Sequence, residues 1–423
     1  MLVSVQNLGC KVNRVESDDF IYQLESLGHS IVDAERADVV IVNTCSVTQE
    51  ADKKTRKLIR QLASLHQHPR VYVTGCSAVL HEAELKALGD NVYVELSKAE
   101  LIPHIDKLPE IAPVSTALAN DEKVENKSSS MAFRRLGIKI QDGCDNRCSY
   151  CIIWKARGAS RSVDVVSILS RIKQAVARGS KELVLTGINI GAFSGNYEGK
   201  DLDLSDLIEL ILEQTELARL RISSIEPLDV HEKLILTLAR HHKRIASHIH
   251  MSLQSGSDAT LREMDRIYTS EQFRARVEAL RHHIPNIALS TDVIVGFPGE
   301  SDKDFEESYE FCKEMAFSKI HVFKYSRREG TVAADRKDQL DPKIINERSL
   351  RMRELSDTMR AKDGRSRVGQ RELVLLEHHG IGTTSSYHKL KLADMKGHQV
   401  GDLVLCEFDF FDEEKLCMMG HIL

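Results

Sequence analysis

The chain has no run of about 18 apolar residues, which excludes a membrane-spanning helix. Its opening, MLVSVQNLGC, holds neither a basic segment nor the apolar stretch of a secretory signal. Glu16, Asp18 and Asp19 are the wrong charges for a transit peptide, so the reading is cytoplasmic. An excess of positive charge is also missing: Lys+Arg 58 against Asp+Glu 63 gives a net charge of −5. That excludes a globally basic nucleic-acid binder and leaves only a local basic patch to hold RNA. Cysteine is sparse, nine in 423 residues. In a cytosolic chain of this length these read as metal ligands or core thiols rather than disulfides.

What is there is a globular composition, 42% hydrophobic and 29% charged, over a length that suggests about three domains. Over the first hundred residues short apolar runs (Leu2–Gln6, Val39–Val42, Val71–Thr74, Val92–Glu95) alternate with helical patterns (Val15–Leu27, Ala51–Leu65, His81–Leu88). Such alternation predicts a parallel sheet covered by helices, in a domain spanning residues 1–118. Residues 119–130 are polar and small and read as a linker. The alternation then resumes over residues 131–360, with strands expected at Gly137–Gln141, Glu182–Thr186, Arg219–Ser223, His248–Leu253, Ala288–Val295 and Lys319–Tyr325. Strand–helix units in that number predict a complete or partial (β/α) barrel. A long charged helix, about Pro342–Lys362, leads to short strands in residues 366–423, which read as a small β-barrel. The fold class is therefore α/β with an all-β tail.

The strongest chemical signal is Cys144-Asp-Asn-Arg-Cys148-Ser-Tyr-Cys151, directly after a predicted strand. Three thiolates on a short loop can hold three corners of a four-iron, four-sulfur cluster and leave one iron open. Structural zinc, the other reading, wants four ligands, and this loop offers neither a fourth cysteine nor a histidine. Cys10, Cys45 and Cys76 are distant in sequence, yet each follows a predicted parallel strand: LVSVQ-NLGC, VVIVN-TC and VYVT-GC. Loops at the carboxyl ends of parallel strands share one edge, so these three can converge on a second open site. Three buried small hydrophobes are the alternative.

The first motif, at the mouth of a β/α domain, resembles the radical S-adenosylmethionine superfamily. With the segments LGCKVNRVESD, VNTCSVTQEADKKTR, VTGCSA, LTGINIG, ISSIEP, HMSLQSGS and TDVIVGFPGE, nearly the whole chain resembles the methylthiotransferase family, and residues 366–423 lie where that family has a TRAM RNA-binding module. The string Gly9-Cys10-Lys11-Val12-Asn13 resembles the branch acting on N6-threonylcarbamoyladenosine in tRNA. The isopentenyladenosine branch reads G-C-Q-M-N there and the ribosomal-protein branch G-C-P-K-N.

The resemblance implies two 4Fe-4S clusters, one on Cys144, Cys148 and Cys151 and one on Cys10, Cys45 and Cys76, with S-adenosylmethionine on the first. It implies a 5′-deoxyadenosyl radical that takes hydrogen from C2 of a modified adenosine at position 37, followed by methylthio insertion. A flavodoxin or ferredoxin would supply electrons. Thr186, Gly187, Ser223, Glu226, Gln254, Ser255 and Gly296 fall in the post-strand turns where this superfamily receives adenosylmethionine. Read singly they are turn glycines and helix caps. Lys53, Arg56, Lys57 and Arg60, at helical spacing after Cys45, and Lys389 and Lys391 in the last module are candidates for the phosphates of a tRNA anticodon arm; a solvated helix face is the alternative for the first four. Trp154 and Lys324 stand where the family has proline, and Val163 where it has arginine, which bears on the pocket's shape. The rival functions are the same chemistry on isopentenyladenosine tRNA or a ribosomal protein, and a non-catalytic zinc-containing RNA-binding protein.

Overall fold

The computed structural model describes residues 1–109 and 136–423; the expected linker at 119–130 lies outside them. The chain forms two compact units, one built from the N-terminal region together with Cys151–Ala159, the other from the remainder.

In the first unit five parallel strands run in the order β2-β1-β3-β4-β5: β1 (Leu2–Asn7), β2 (Ser30–Ile31), β3 (Val39–Thr44), β4 (Arg70–Gly75) and β5 (Val92–Val94). Strand β3 is buried at every position, as befits a central parallel strand covered on both faces. Val40 and Val42 point into one core with Ile59 and Leu62, Val39 and Ile41 into the other with Phe20 and Leu24. The covering helices are α1 (Lys11–Ser26), α2 (Gln49–Ala63), α3 (Cys76–Leu80), α4 (Glu82–Lys86) and α5 (Lys98–Asp106). Helix α1 begins four residues earlier than the apolar spacing predicts, because Cys10 is its N-cap residue. The helix expected near His81–Leu88 is α4, and the unexpected short helix α3 precedes it, separated from it at His81, whose backbone leaves helical geometry. Helix α6 (Ile153–Arg157) belongs to this unit as well.

The second unit holds a split β/α sheet. One part has the order β12-β9-β6, with β6 (Leu136–Lys139), β9 (Glu182–Thr186) and β12 (Arg219–Ile222). The other has the order β13-β14-β15-β16, with β13 (Ser224–Ile225), β14 (His248–Met251), β15 (Ala288–Val295) and β16 (Lys319–Lys324). Every pairing in both parts is parallel, and among the described residues the edge strands β6 and β16 do not pair with each other, so the barrel is partial. Small antiparallel pairs, β7 (Gln141–Asp142) with β8 (Arg161–Ser162) and β10 (Gly195–Tyr197) with β11 (Lys200–Leu202), are insertions the apolar pattern does not show. The outer helices are α7 (Val165–Ala177), α8 (Leu204–Gln214), α9 (Glu232–Arg240), α10 (Asp258–Glu263), α11 (Ser270–His283), α12 (Asp302–Met315), the short α13 (Val332–Asp335) and α14 (Pro342–Ser366). Capping boxes at Asp203/Asp206, Thr269/Gln272 and Ser301/Asp304 fix where α8, α11 and α12 start, by satisfying otherwise orphaned backbone N–H groups.

A closed five-stranded barrel follows: β17 (Arg371–His378), β18 (Ile381–Thr384), β19 (Lys389–Leu392), β20 (Leu403–Asp412) and β21 (Cys417–Ile422), in the order β17-β18-β19-β21-β20. Strand β18 (IGTT) is too polar and short to read as one from sequence. The barrel is bonded to the β/α sheet rather than tethered beside it. Buried Arg219 and Arg221 share the Glu182 carboxylate and donate to the carbonyls of Leu373, Thr383, Thr384 and Ser385. Two guanidiniums thus leave water with a carboxylate and four carbonyls as compensation.

Candidate active site

In the first unit Cys10, Cys45 and Cys76 come together at the carboxyl ends of β1, β3 and β4. Cys45 and Cys76 are buried and Cys10 is half-buried. Burial, countered by the Val47 backbone N–H and reinforced by the charges of Cys10 and Cys76, pushes the Cys45 thiol up to about 11. Burial also raises Cys76, while Arg157 and Lys98 pull it down. The approach is close enough that a Cβ at Gly9 would overlap Cys45, and one at Gly75 would strike Thr44 and Asn43. Gly9 (φ 147°) and Gly75 (φ 97°) also hold backbone conformations that favour glycine.

Asn13 organises this pocket. Its Oδ1 accepts from Cys10 Sγ at 3.2 Å and from Arg157 Nη2 at 2.9 Å, and its Nδ2 donates to Thr44 O at 2.7 Å. Arg157 also grips Glu16 at 2.9 and 3.2 Å, and Lys98 bonds the same carboxylate. Sequence reasoning does not single out Asn13, Glu16, Lys98 or Arg157 as a group, because they are polar residues on three separate helices, α1, α5 and α6, that only the fold brings together. A polar Asn and Glu one turn apart on the otherwise apolar face of α1 are the signal that was available.

The other cysteines follow β7. Burial is the main reason the Cys144 thiol is raised, and the charge of nearby Cys148 adds to it. Cys151 follows three residues on, its Sγ accepting from Ile153 N at 3.4 Å. Cys148 Sγ accepts from Arg266 Nη1 at 3.1 Å. Arg266 in turn pairs with Glu226 and lies over the Tyr268 ring at 4.9 Å. Burial raises the Glu226 carboxyl, and Arg266 holds it down. Ser149 donates to Glu263 O and its backbone N–H to Met264 O, which ties the loop to the end of α10. Arg266 escapes a sequence reading because it follows α10 in a stretch with no motif.

Gln141, wholly buried, joins this loop to the turn after β9. Its Nε2 donates to Asp142 O, Gly143 O and Ser160 Oγ, and its Oε1 accepts from the Ile188 and Asn189 N–H groups. Thr186 and Gly187 therefore sit next to the cysteine loop. Ser223 follows β12 and Glu226 follows β13, and Gln254 (φ 66°) is bonded to β15 through Asp292 O and Ile294 N. Ser255 is buried beside it. Two polar atoms near these strand ends, Ser223 Oγ and Asn189 Oδ1, are buried without a hydrogen-bond partner among the described residues. A polar ligand at the strand ends would satisfy them, so the residues present fit adenosylmethionine. Gly296 is different: a Cβ there would overlap Ile345 of α14, and its N–H is taken by Glu300 at 3.1 Å, so helix packing accounts for it.

Of the expected RNA contacts, Lys53, Lys57 and Arg60 are exposed on α2, whereas Arg56 pairs with Glu84 at 3.4 Å. Lys389 lines a cleft of about 420 Å³ together with Lys319, Arg360, Lys415 and Tyr387; Lys391 is half-buried on β19. Neighbouring His388 is buried and bonded to Asp363 at 2.7 Å. At the departures, Trp154 lies in α6 under Lys155, and Lys324 donates to Asn346 at 2.6 Å.

Residues 138–312 match the radical SAM superfamily and residues 2–96 match the uncharacterized protein family UPF0004. The chain is 37% identical over 407 residues (92% of this chain, 89% of the other) to the threonylcarbamoyladenosine tRNA methylthiotransferase MtaB of Bacillus subtilis. It is 33% identical to the protein of that name from Thermotoga maritima (95% and 92%). Identity is 32% with a tRNA-2-methylthio-N(6)-dimethylallyladenosine synthase from Wolbachia of Brugia malayi (88% and 87%). Among solved structures it shares a fold with the radical S-adenosylmethionine methyltransferase TsrM of Kitasatospora setae, at TM-score 0.56 and 15% identity over 79% of this chain and 77% of that one. No helix among the described residues is long and apolar enough to cross a membrane. With relatives of this identity along nearly its whole length, the chain belongs to the radical S-adenosylmethionine tRNA methylthiotransferases, enzymes that use S-adenosylmethionine and a 4Fe-4S cluster.

Proposed function

We propose that this enzyme converts N6-threonylcarbamoyladenosine at position 37 of tRNA to its 2-methylthio derivative, using a second cluster on Cys10, Cys45 and Cys76. The observation that carries the reading is the convergence of those three thiols in a buried pocket, together with a separate three-cysteine loop beside turns whose buried polar atoms lack partners. Substrate choice follows the relatives named for threonylcarbamoyladenosine and the Gly9–Asn13 string.

When bound, the clusters and adenosylmethionine supply an electron, a hydrogen-abstracting radical, sulfur and a methyl group. The protein's part is placement. Cys144, Cys148 and Cys151 hold one cluster, and Arg266 donates to Cys148, which stabilises the thiolate form. Thr186, Gly187, Ser223 and Gln254 line the strand ends where adenosylmethionine is oriented, and the Arg266–Glu226 pair fixes the charge there. Arg157 and Lys98 hold positive charge beside Cys76, which favours the thiolates a metal centre needs. Lys53, Lys57 and Arg60 on α2, and Lys389 with Lys319 and Arg360 in the cleft, offer positive charge to tRNA phosphates. A reduced flavodoxin or ferredoxin is the reductant this chemistry calls for.

The test is mass analysis of tRNA nucleosides from a strain lacking the gene, complemented with wild type or with the Cys144/Cys148/Cys151 triple alanine variant. The expected result is 2-methylthio-N6-threonylcarbamoyladenosine restored by wild type alone. Methylthiolation of dimethylallyladenosine or of a ribosomal peptide instead would contradict the reading.

A further inference from the structure

Strands β3 and β4 stay in parallel register as far as Thr44 opposite Gly75. The next residue on each is a cysteine, Cys45 and Cys76, and each cysteine is followed by a serine, Ser46 and Ser77. The ladder ends there, so backbone pairing no longer fixes the distance between the two thiols. Both serines are fully buried, and both hydroxyls turn to one atom. Asp52 Oδ1 accepts from Ser46 Oγ at 2.7 Å and from Ser77 Oγ at 3.0 Å. Asp52 lies in the first turn of α2 and is itself only 4% exposed. Its other oxygen stands 3.7 Å from Nε2 of His81, which ends α3, the helix that Cys76 begins.

Core packing alone does not require this set. Alanines at 46 and 77 with an apolar residue at 52 would make a simpler core, with no carboxylate taken out of water. A carboxylate oxygen shared between hydroxyls on two neighbouring strand ends does more than fill space. It fixes the span between Ser46 and Ser77, and with it the span between the cysteines that precede them. Cys10 is held differently: a lysine follows it, and its Sγ donates to Asn13 Oδ1 in the first turn of α1.

We propose that Asp52 is a positioning residue of the N-terminal site. Through Ser46 and Ser77 it sets the separation and orientation of Cys45 and Cys76, which form the fixed edge of a cluster whose third corner is Cys10. The inference rests on the two-cluster reading above. Hydrogen-bonding partners behind a ligand set orient the ligands, and their loss costs about 10- to 100-fold in metal affinity. The carboxylate also places negative charge one residue away from two ligands, which holds the reduction potential of a cluster there down.

The experiment uses the full-length chain, anaerobically reconstituted, as wild type and as Asp52→Ala, Asp52→Asn, Ser46→Ala and Ser77→Ala. Iron per chain is counted before and after exposure to bathophenanthroline disulfonate. The potential and electron paramagnetic resonance spectrum of the N-terminal cluster are read with Cys144, Cys148 and Cys151 changed to alanine, so that no other cluster contributes. Circular dichroism and melting temperature check folding; each serine variant leaves Asp52 one hydroxyl, and Asp52→Asn is isosteric, so the test does not depend on Asp52→Ala folding. Wild type is expected to keep about eight irons. Asp52→Ala is expected to hold N-terminal iron about 10- to 100-fold more weakly and to fall to about four irons under the chelator, with each serine variant in between. Asp52→Asn keeps an oxygen for both hydroxyls and is expected to retain its iron, with the N-terminal cluster's potential moved to a more positive value. Folded variants that keep eight irons under the chelator, with the wild-type potential and spectrum, would overturn the inference and leave the function standing, whatever their melting temperatures. Wild type that takes up only about four irons, none of them lost in the Cys10/Cys45/Cys76 triple alanine variant, would overturn the two-cluster reading and the inference with it.

Discussion

The two sets of three cysteines are built by opposite means. Cys144, Cys148 and Cys151 fall within eight consecutive residues, and a single buried side chain, Gln141, fastens their loop to the neighbouring turn. Cys10, Cys45 and Cys76 come from three strand ends spread over 67 positions, and a network of Asn13, Asn43, Glu16, Lys98 and Arg157 holds those ends together. The first is a local device placed on a scaffold. The second is the scaffold itself, and its geometry is inseparable from the stability of its unit.

That contrast breaks most sharply at the thiols. Cys148→Ala is expected to abolish both adenosylmethionine cleavage and methylthio product. Cys45→Ala is expected to abolish product while 5′-deoxyadenosine still forms, as read by chromatography of single-turnover reactions. Loss of cleavage in both variants would mean that the two sets do not act separately.

Next in size is Arg157→Ala. It strips a bidentate partner from Glu16, whose side chain is 3% exposed and is also bonded by Lys98. A broken buried pair costs about 3 kcal/mol, at the lower end of its class because Lys98 remains. Urea denaturation of the cofactor-free protein checks this, with the loss expected in the N-terminal unit. The counterpart beside the other set, Arg266→Met, is expected to leave the fold intact and slow adenosylmethionine cleavage by about 10- to 100-fold, since it removes a hydrogen bond to a ligand rather than a ligand. A shifted midpoint potential of the cluster would mark that effect as electronic rather than structural.

How far each region could be read beforehand follows from the same contrast. The Cys144–Cys151 loop and strands such as Glu182–Thr186 and Ala288–Val295 are legible because spacing and apolar runs are local properties. The convergence of Cys10, Cys45 and Cys76 is legible only through topology, by way of the parallel strands that precede them. Arg266 and Arg157 are not legible, since they acquire their roles from partners over a hundred positions away, and neither is Gln141, whose role comes from turns up to 48 positions on. Strand β18 and the two small antiparallel pairs escape because backbone pairing, with little apolar burial, makes them strands. Gly296 teaches the reverse: in sequence it resembles a cofactor-turn glycine, while Ile345 accounts for it by packing.

The smallest expected effect lies where α14 meets the C-terminal barrel, at the Asp363–His388 pair. Burial pushes the Asp363 carboxyl up, but His388 and Arg367 outweigh it and hold the group at about 2. With its folded value below its unfolded one, the pair's stabilisation is present above about pH 4 and is lost as pH falls through 2. Asp363→Asn is expected to cost about 2 kcal/mol near neutral pH and to flatten the acid limb of the stability curve between those values. Stability measured by denaturant titration across pH 2 to 6 checks it.

The central claim is that both cysteine sets hold clusters. Iron and acid-labile sulfide per chain after anaerobic reconstitution, for wild type and the Cys10/Cys45/Cys76 triple alanine variant, test it most directly. The account predicts about eight irons falling to about four, with sulfide falling in step. About four irons in both proteins would contradict it, leaving the N-terminal pocket without a cluster and the inserted sulfur without a source.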